Sequence, residues 1–264
     1  MSTRDAGGPR VRRPPPPWMP VVIDDVVALN ERFMRITLRG DDLASMAAPE
    51  TAASIRLLVP EAAGADLVIP EWTGNEFLLP GGGRPVIRTF TPLDHNPARR
   101  TLELEIVRHP GGAVSGWAES ATSGDPAALS GPGAAVGIDT SAPRWLMFGD
   151  ESAIPAIGQM LAEAARLDPQ PECTVHLEVG APGVGDSLPS FASLTVARHV
   201  RSQSEAPGAT LVAVGTTIES VDEATAIWAA GEAAAVQALR KHFFRTLGVP
   251  RSQATIRGYW KSRT

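Results

Sequence analysis

Cysteine is almost absent from this 264-residue chain, where Cys173 stands alone. A single thiol excludes an intrachain disulfide and any all-cysteine metal or iron–sulfur centre built from this polypeptide. It also suits a reducing compartment. The five histidines, His95, His109, His176, His199 and His242, show no paired metal-ligand spacing, so no metal cofactor is expected. No apolar run approaches the length of a membrane span. Four consecutive prolines, Pro14 to Pro17, occupy the place where a secretory signal would need its apolar segment. Positive charge is not in excess either: the net charge is −5 and the pI is near 5.6. That balance leaves no overall basic field for nucleic acid or an anionic membrane. Any anion site is therefore local, and any electron path needs an organic cofactor. The expectation is a cytoplasmic protein with no nucleic-acid partner and no membrane insertion.

What is present divides into three stretches. Residues 1–17 are polar, basic and then proline-rich, which predicts a disordered, polyproline-like tail. Residues 18–140 carry short strand signals separated by glycine and proline. Over 32–39 the apolar Met34, Ile36 and Leu38 alternate with Arg35, Thr37 and Arg39, and over 102–107 Leu102, Leu104 and Ile106 alternate with Glu103, Glu105 and Val107. Both are strand periodicities with one wet face. Further strands are expected at 18–29, 54–59 and, within a loop-like stretch from 61 to 83, at 66–69. Many short punctuated strands predict a small antiparallel barrel.

From about residue 141 the pattern changes to alternating strands and helices. Trp145-Leu146-Met147-Phe148 ends in Gly149-Asp150, and Ile154, Ile157, Met160, Leu161, Ala164 and Ala165 then follow at helical intervals. Strands are expected at 174–179, 194–200, 226–230 and 254–260, with a helix opened by Gly231-Glu232, while 209–220 fits a helix and a strand equally. Residues 141–264 thus predict a Rossmann-like parallel sheet that binds ligands at its C-terminal strand ends. The fold class is a two-domain β plus α/β chain.

Two stretches carry chemistry. Arg88, Thr89, Phe90 and Thr91 lie on a strand that presents a cation, a flat ring and two hydroxyls, and residues 108–117 read as a glycine turn opening a short helix. An arginine neutralises a diphosphate, an aromatic ring lies against an isoalloxazine, and free amides at a helix start hold phosphate oxygens. Taken singly, each piece is equally a plain strand or a tight turn.

In this order the pieces resemble the ferredoxin-reductase-like flavoproteins, and more closely the siderophore-interacting proteins, which are FAD-dependent ferric-siderophore reductases. The resemblance spans about residues 21–260. Its markers are Arg88-Thr89-Phe90-Thr91, His109 through Ala118, Gly124-Asp125, Gly131-Pro132-Gly133, Gly149 through Ile157, Trp228 through Ala233, and Gly258-Tyr259-Trp260. The resemblance implies an N-terminal antiparallel FAD-binding barrel and a C-terminal domain that meets NADPH or NADH. It assigns Arg88, Thr89, Phe90 and Thr91 to the flavin strand, with His109, Gly111, Gly112, Ala113, Val114 and Ser115 in the loop around the diphosphate. Asp150, Ser152, Gly231, Glu232 and Trp260 fall on the crevice where nicotinamide approaches flavin.

The implied substrate is a ferric siderophore, a polyanion for which Arg56, Lys261 and Arg263 are the candidate cations. Arg198, His199 and Arg201 are candidates for a nucleotide 2′-phosphate, and Asp150 and Glu178 either orient nicotinamide or cap helices. An external ferredoxin as donor is left open, and a monomer is expected. This chain departs from the family pattern at Phe90, where tyrosine is usual, at Leu93, where arginine is usual, and at Ser152, where threonine is usual. Its diphosphate loop is one residue short. Two other readings stay open: a binding module of this fold without turnover, and a general flavin reductase with no iron role.

Overall fold

The computed structural model describes residues 14–62, 64–202 and 204–262. Arg263 and residues 1–13 of the tail expected over 1–17 lie outside them. The described end of that tail is tied down, because the Pro16 carbonyl accepts a hydrogen bond from Ser130 Oγ at 2.7 Å.

The N-terminal half is one antiparallel sheet of seven strands. In chain order these are β1 (Met19–Ala28), β2 (Phe33–Arg39), β3 (Ile55–Val59), β6 (Val86–Phe90), β7 (Leu93–Asn96), β8 (Thr101–Val107) and β9 (Pro126–Ser130), and they lie side by side as β6-β3-β9-β1-β2-β8-β7. The two edge strands, β6 and β7, are consecutive in the chain and separated only by Thr91-Pro92. The sheet therefore curls into a half-barrel whose two edge strands are joined through that dipeptide and not by a ladder. The expected alternation holds in β2 and β8. Met34, Ile36, Leu38, Leu102, Leu104 and Ile106 are buried together, while Arg35 on the outer face pairs with Glu103 and Glu105 of β8. Helix α1 (Ala113–Ser120) is held to the barrel by Val114, Trp117 and Ala118.

The loop between β3 and β6 differs from expectation. Residues 66–69 form no strand, and Val68 and Ile69 are largely exposed. A minimal hairpin of β4 (Glu71–Trp72) and β5 (Phe77–Leu78) stands a few residues later. Its two-residue strands meet through Trp72 on Phe77, with Trp18 on the other side of Phe77.

The C-terminal half is a five-stranded, wholly parallel sheet of β10 (Arg144–Asp150), β11 (Glu172–Val179), β12 (Leu194–Val200), β13 (Thr225–Glu232) and β14 (Ala254–Trp260), ordered β12-β11-β10-β13-β14. Helix α2 (Ile154–Ala164) covers one face. Helices α3 (Ala209–Thr216) and α4 (Ala233–Lys241) cover the other. Burial on both faces accounts for the unbroken apolar run of β10: Trp145 and Met147 pack toward α2, and Leu146 and Phe148 toward α3 and α4. The ambiguous stretch resolves as a helix because Gly215 lets α3 approach α4, where a Cβ would come within 2.3 Å of Leu239. Among the described residues no helix is long and apolar enough to cross a membrane.

The two halves share packing. Phe33 of β2 and Ala52 belong to the same buried cluster as Trp145, Met147 and Trp228, with Val107 and Ile138 against it. Between β9 and β10 the chain runs without helix or strand, and it is tied to the sheet by Trp228 Nε1, which donates to the Val136 carbonyl at 2.7 Å. Trp228 is fully buried. Trp228→Phe keeps one of the two fused rings, leaves a cavity in place of the other and removes that donor, so it is expected to cost about 2–4 kcal/mol. Urea unfolding monitored by far-UV circular dichroism would show this as a lower midpoint at unchanged slope.

Candidate functional site

In the ladder between β3 and β6, Leu57 faces Arg88 and Ile55 faces Phe90, whereas Arg56 faces Thr89. Paired residues of an antiparallel ladder share a face. Arg88 and Phe90 therefore lie on one side of the flavin-type strand, with Thr89 and Arg56 on the other. The guanidinium of Arg88 is exposed, has no carboxylate partner among the described residues, and donates only to the Ile87 carbonyl at 2.8 Å. Phe90 rests one side on the barrel core and is half-buried. Thr91 is buried in the dipeptide that joins the two edge strands.

Helix α1 starts beside this strand without a side-chain cap: its N-cap is Gly112, and no acid lies in its first turn. The loop leading into it is tight. Gly111 has φ +74°, a Cβ on Gly112 would lie 2.4 Å from the His109 ring, and His109 N donates to Ser115 Oγ at 3.0 Å. An unpaired arginine next to the free amides of an uncapped helix is a donor set that suits a diphosphate, and the half-buried ring suits a flat heterocycle. The residues present fit FAD.

The parallel half contributes its C-terminal rim. The chain runs from β10 out to β12 and then returns to β13 on the other side of β10, so the strand order reverses between β10 and β13, where such sheets bind ligands. Asp150 ends β10 there. Its carboxylate accepts from Ser152 N at 2.9 Å, Ser152 Oγ at 2.5 Å, Glu232 N at 2.8 Å and Trp260 Nε1 at 2.7 Å. Burial pushes the Asp150 carboxyl above its ordinary range, and the bonds from Ser152, Trp260 and the Glu232 amide pull back toward the ionised form. Gly231 makes this possible: its φ is +150°, and a Cβ would come within 2.6 Å of Asp150 Oδ2. Asp150 thus joins three strand ends and holds the partly exposed Trp260 ring, with the exposed Lys261 next to it.

Two side chains that sequence reasoning passed over, Arg32 and Gln159, connect barrel and rim, Arg32 through Glu151. Asn30 Oδ1 accepts from the amides of Arg32 and Phe33, a local turn that presents the arginine. Arg32 then grips Glu151 with two prongs, Nε to Oε1 at 3.0 Å and Nη2 to Oε2 at 2.5 Å. Glu151 Oε1 also accepts from Gly180 N at 2.8 Å. On α2, Gln159 Nε2 donates to the Pro92 carbonyl at 2.8 Å while its Oε1 accepts from Ala52 N at 2.9 Å. The partners of Arg32 and Gln159 in these ties, Glu151, Pro92 and Ala52, lie 67 to 119 residues away in sequence, and Glu151 alone stood inside a recognisable motif.

Arg198 and Arg201 do not converge on an open site. Arg198 donates to the Gly185 carbonyl and faces Asp186, and Arg201 donates to the carbonyls of Ser202 and Glu205 and faces Glu178. His199 Nε2 lies 3.3 Å from His176 Nδ1, a pairing across strands that linear spacing does not reveal. Burial, with the neighbouring His199, lowers the His176 pKa. Glu178 caps α3 by accepting from Gly208 N at 2.6 Å and Thr210 N at 3.0 Å.

A family model described as siderophore-interacting FAD-binding domain matches residues 23–136, and one described as siderophore-interacting protein matches residues 142–263. Ferric vibriobactin reductase ViuB of Vibrio cholerae is 26% identical over 238 residues, 88% of this chain and 85% of that protein. An uncharacterized protein of Mycobacterium tuberculosis is 34% identical over 197 residues, 69% of this chain and 68% of that one. The crystal structure of the siderophore-interacting protein SipS from Aeromonas hydrophila superposes with a TM-score of 0.73 at 26% identity, covering 94% of this chain and 100% of that one.

Two predictions follow from the rim and its ties. Arg32→Ala strands a nearly buried carboxylate with one amide donor, and since Arg32 itself is a quarter exposed, the expected loss is about 2–3 kcal/mol. Thermal unfolding of Arg32→Ala, Glu151→Ala and the double variant should show coupling of about 1 kcal/mol or more between the two sites. Tyr259 is the only tyrosine, and burial together with the Asp150 charge pushes its pKa up to about 12. Its phenolate absorbance should therefore rise well above the ordinary midpoint of about 10. The folded state holds that proton more tightly than the unfolded chain, so this contribution is intact below pH ~10 and is lost as pH climbs toward 12. Tyr259→Phe should flatten that alkaline decline.

Proposed function

We infer that this chain, which belongs to the siderophore-interacting protein family, is an NAD(P)H-dependent flavoprotein oxidoreductase that reduces a siderophore-bound ferric ion. The observation that carries the reading is the pairing of Arg88, without an acid partner, with the uncapped start of α1 on the strand that also presents Phe90. Arg88 neutralises the FAD diphosphate, the amides at Ala113 and Val114 bind its oxygens, and Phe90 offers a flat apolar face to the ring. When bound, FAD accepts electrons as a pair from a nicotinamide and yields them singly, as a ferric centre requires.

The rest is positioning. Gln159 fixes the carbonyl of Pro92, and hence the end of the flavin strand, against α2. Asp150 sets the height and angle of Trp260 at the crevice. No side chain has to act as nucleophile or general acid. Lys261, exposed next to Trp260, is the cation best placed on the rim for an anionic siderophore, while Arg56 lies on the far face of the flavin strand and contributes there only if the substrate reaches round the sheet edge. Iron leaves after reduction because hard oxygen ligands hold the ferrous ion less strongly. The protein works in the cytoplasm as a monomer in this reading.

Freshly purified protein should show flavin absorbance or take up added FAD, bleach anaerobically with NADH or NADPH, and recover its colour on addition of a ferric catecholate with ferrous iron appearing in a chelator assay. Folded protein that neither binds FAD nor accepts electrons would remove the proposal. Colour recovery at equal rates with unrelated acceptors would leave a general flavin reductase, and siderophore binding without nicotinamide-dependent reduction would leave a binding module. Arg88→Ala should weaken FAD binding about 10–100-fold, the loss of one charge-assisted contact, with the thermal unfolding of the apoprotein unchanged.

A further inference from the structure

Eight backbone amides along the C-terminal rim of the parallel sheet donate to carboxylates of the same chain. Asp150 takes those of Ser152 and Glu232, and Glu151 takes that of Gly180. Glu178 takes those of Gly208 and Thr210, and Glu232 takes those of Ala234, Ala235 and Ser262. Six of these amides head the turn into α2, the start of α3, the start of α4 and the glycine-bearing loop after β11, and the other two, of Glu232 and Ser262, lie at the end of β13 and just beyond β14. A Rossmann-like sheet uses such positions to hold the diphosphate of a dinucleotide. Here each is filled by an internal anion. Asp150, Glu178 and Glu232 are buried, so a phosphate entering would have to strip a carboxylate of the amides that offset its burial, and would meet like charge while doing so.

The nearby arginines do not reverse this. Arg201 is spent on Glu178 and on two carbonyls, and Arg198 on Asp186 and the Gly185 carbonyl. The helix start in the barrel half is the contrasting case: α1 has no carboxylate on its first amides, whereas α2, likewise without a cap or acid of its own, is entered through the turn Glu151–Ala153, whose Ser152 amide Asp150 takes. The barrel half leaves its helix start without an internal anion, and the parallel half has put one on each of these eight amides.

Resting on the reductase reading above, we propose that the parallel half recognises only the reduced nicotinamide–ribose end of its electron donor and does not grip the donor's diphosphate or 2′-phosphate. Discrimination between NADH and NADPH is then slight, and the adenosine portion is dispensable. The four carboxylates act as specificity residues by occupying the donors a dinucleotide would need.

The wild-type protein with FAD bound is tested with NADH, NADPH and reduced nicotinamide mononucleotide, following anaerobic bleaching. The expected kcat/KM values agree within about tenfold; a dinucleotide preference above that, the gain from even one well-made charge-assisted phosphate contact, would overturn the inference. A second readout needs neither flavin nor turnover: calorimetric titration of the apoprotein with ADP-ribose and with 2′,5′-ADP. Dissociation constants weaker than about 100 μM are expected, and tighter binding of either overturns the inference while leaving the reductase reading in place. Failure of all three donors to bleach the flavin would remove the reductase reading, and this inference with it.

Discussion

The rim depends on one buried anion, Asp150. Its carboxylate has no cationic partner among its contacts, and it is held by four donors from Ser152, Glu232 and Trp260. A carboxylate removed from water without a counter-ion is stable only when its acceptor sites are filled. Asp150 satisfies that demand by drawing together the ends of β10, β13 and β14. The demand fixes neighbours in turn. Gly231 has to be a glycine, both for its positive φ and because a side chain would strike the carboxylate. Trp260 has to present its indole N–H to that carboxylate, which leaves its ring partly exposed at the rim.

The same principle distributes the molecule's anion-binding capacity. A helix start carries unpaired amides that an anion satisfies. In the parallel half the partners come from within: Asp150, Glu178 and Glu232 close the turns into α2, α3 and α4. In the barrel half α1 opens on Gly112 with nothing in that role, and Arg88 on the adjacent strand lacks an acid partner. Free donors of like sign gathered on one element draw a polyanion to that element. The polar chemistry of the flavin-type strand is therefore outward-looking, whereas that of the rim is self-contained.

Much of this was legible in the sequence wherever it rested on local periodicity. Alternation in β2 and β8, the twice-buried run of β10 and the spacing of Ile154, Ile157, Met160 and Leu161 all reflect a single element facing a single core. Legibility failed where the cause is non-local. Strand β9 begins with proline and continues with small residues, so it carries no propensity of its own and exists because β1 and β3 flank it. The β4–β5 hairpin is too short for any period. Residues 209–220 read both ways until Gly215 met Leu239 and Glu178 met Gly208. The site divides along the same line. Arg88, Phe90 and Asp150 announce themselves by motif, but Arg32 and Gln159 acquire their roles only through partners far along the chain.

Those distant partners bear on how the two halves work together. Thr91-Pro92 links the two edge strands of the curled sheet, and Gln159 of α2 holds the Pro92 carbonyl and the Ala52 amide at once. Swinging the parallel half away would break both bonds, separate Arg32 from Glu151, and pull Phe33 out of the cluster it shares with Trp145 and Met147. Each loss exposes apolar surface or leaves a buried polar group unpaired. The end of the flavin-type strand is thereby fixed relative to the nucleotide-type rim. Electron transfer between two bound partners needs constant separation more than it needs enclosure, because no protein group has to be brought up to take a proton. Side-chain ties between the two halves, beside a rim whose own acids cap its helices, meet that requirement without a moving part.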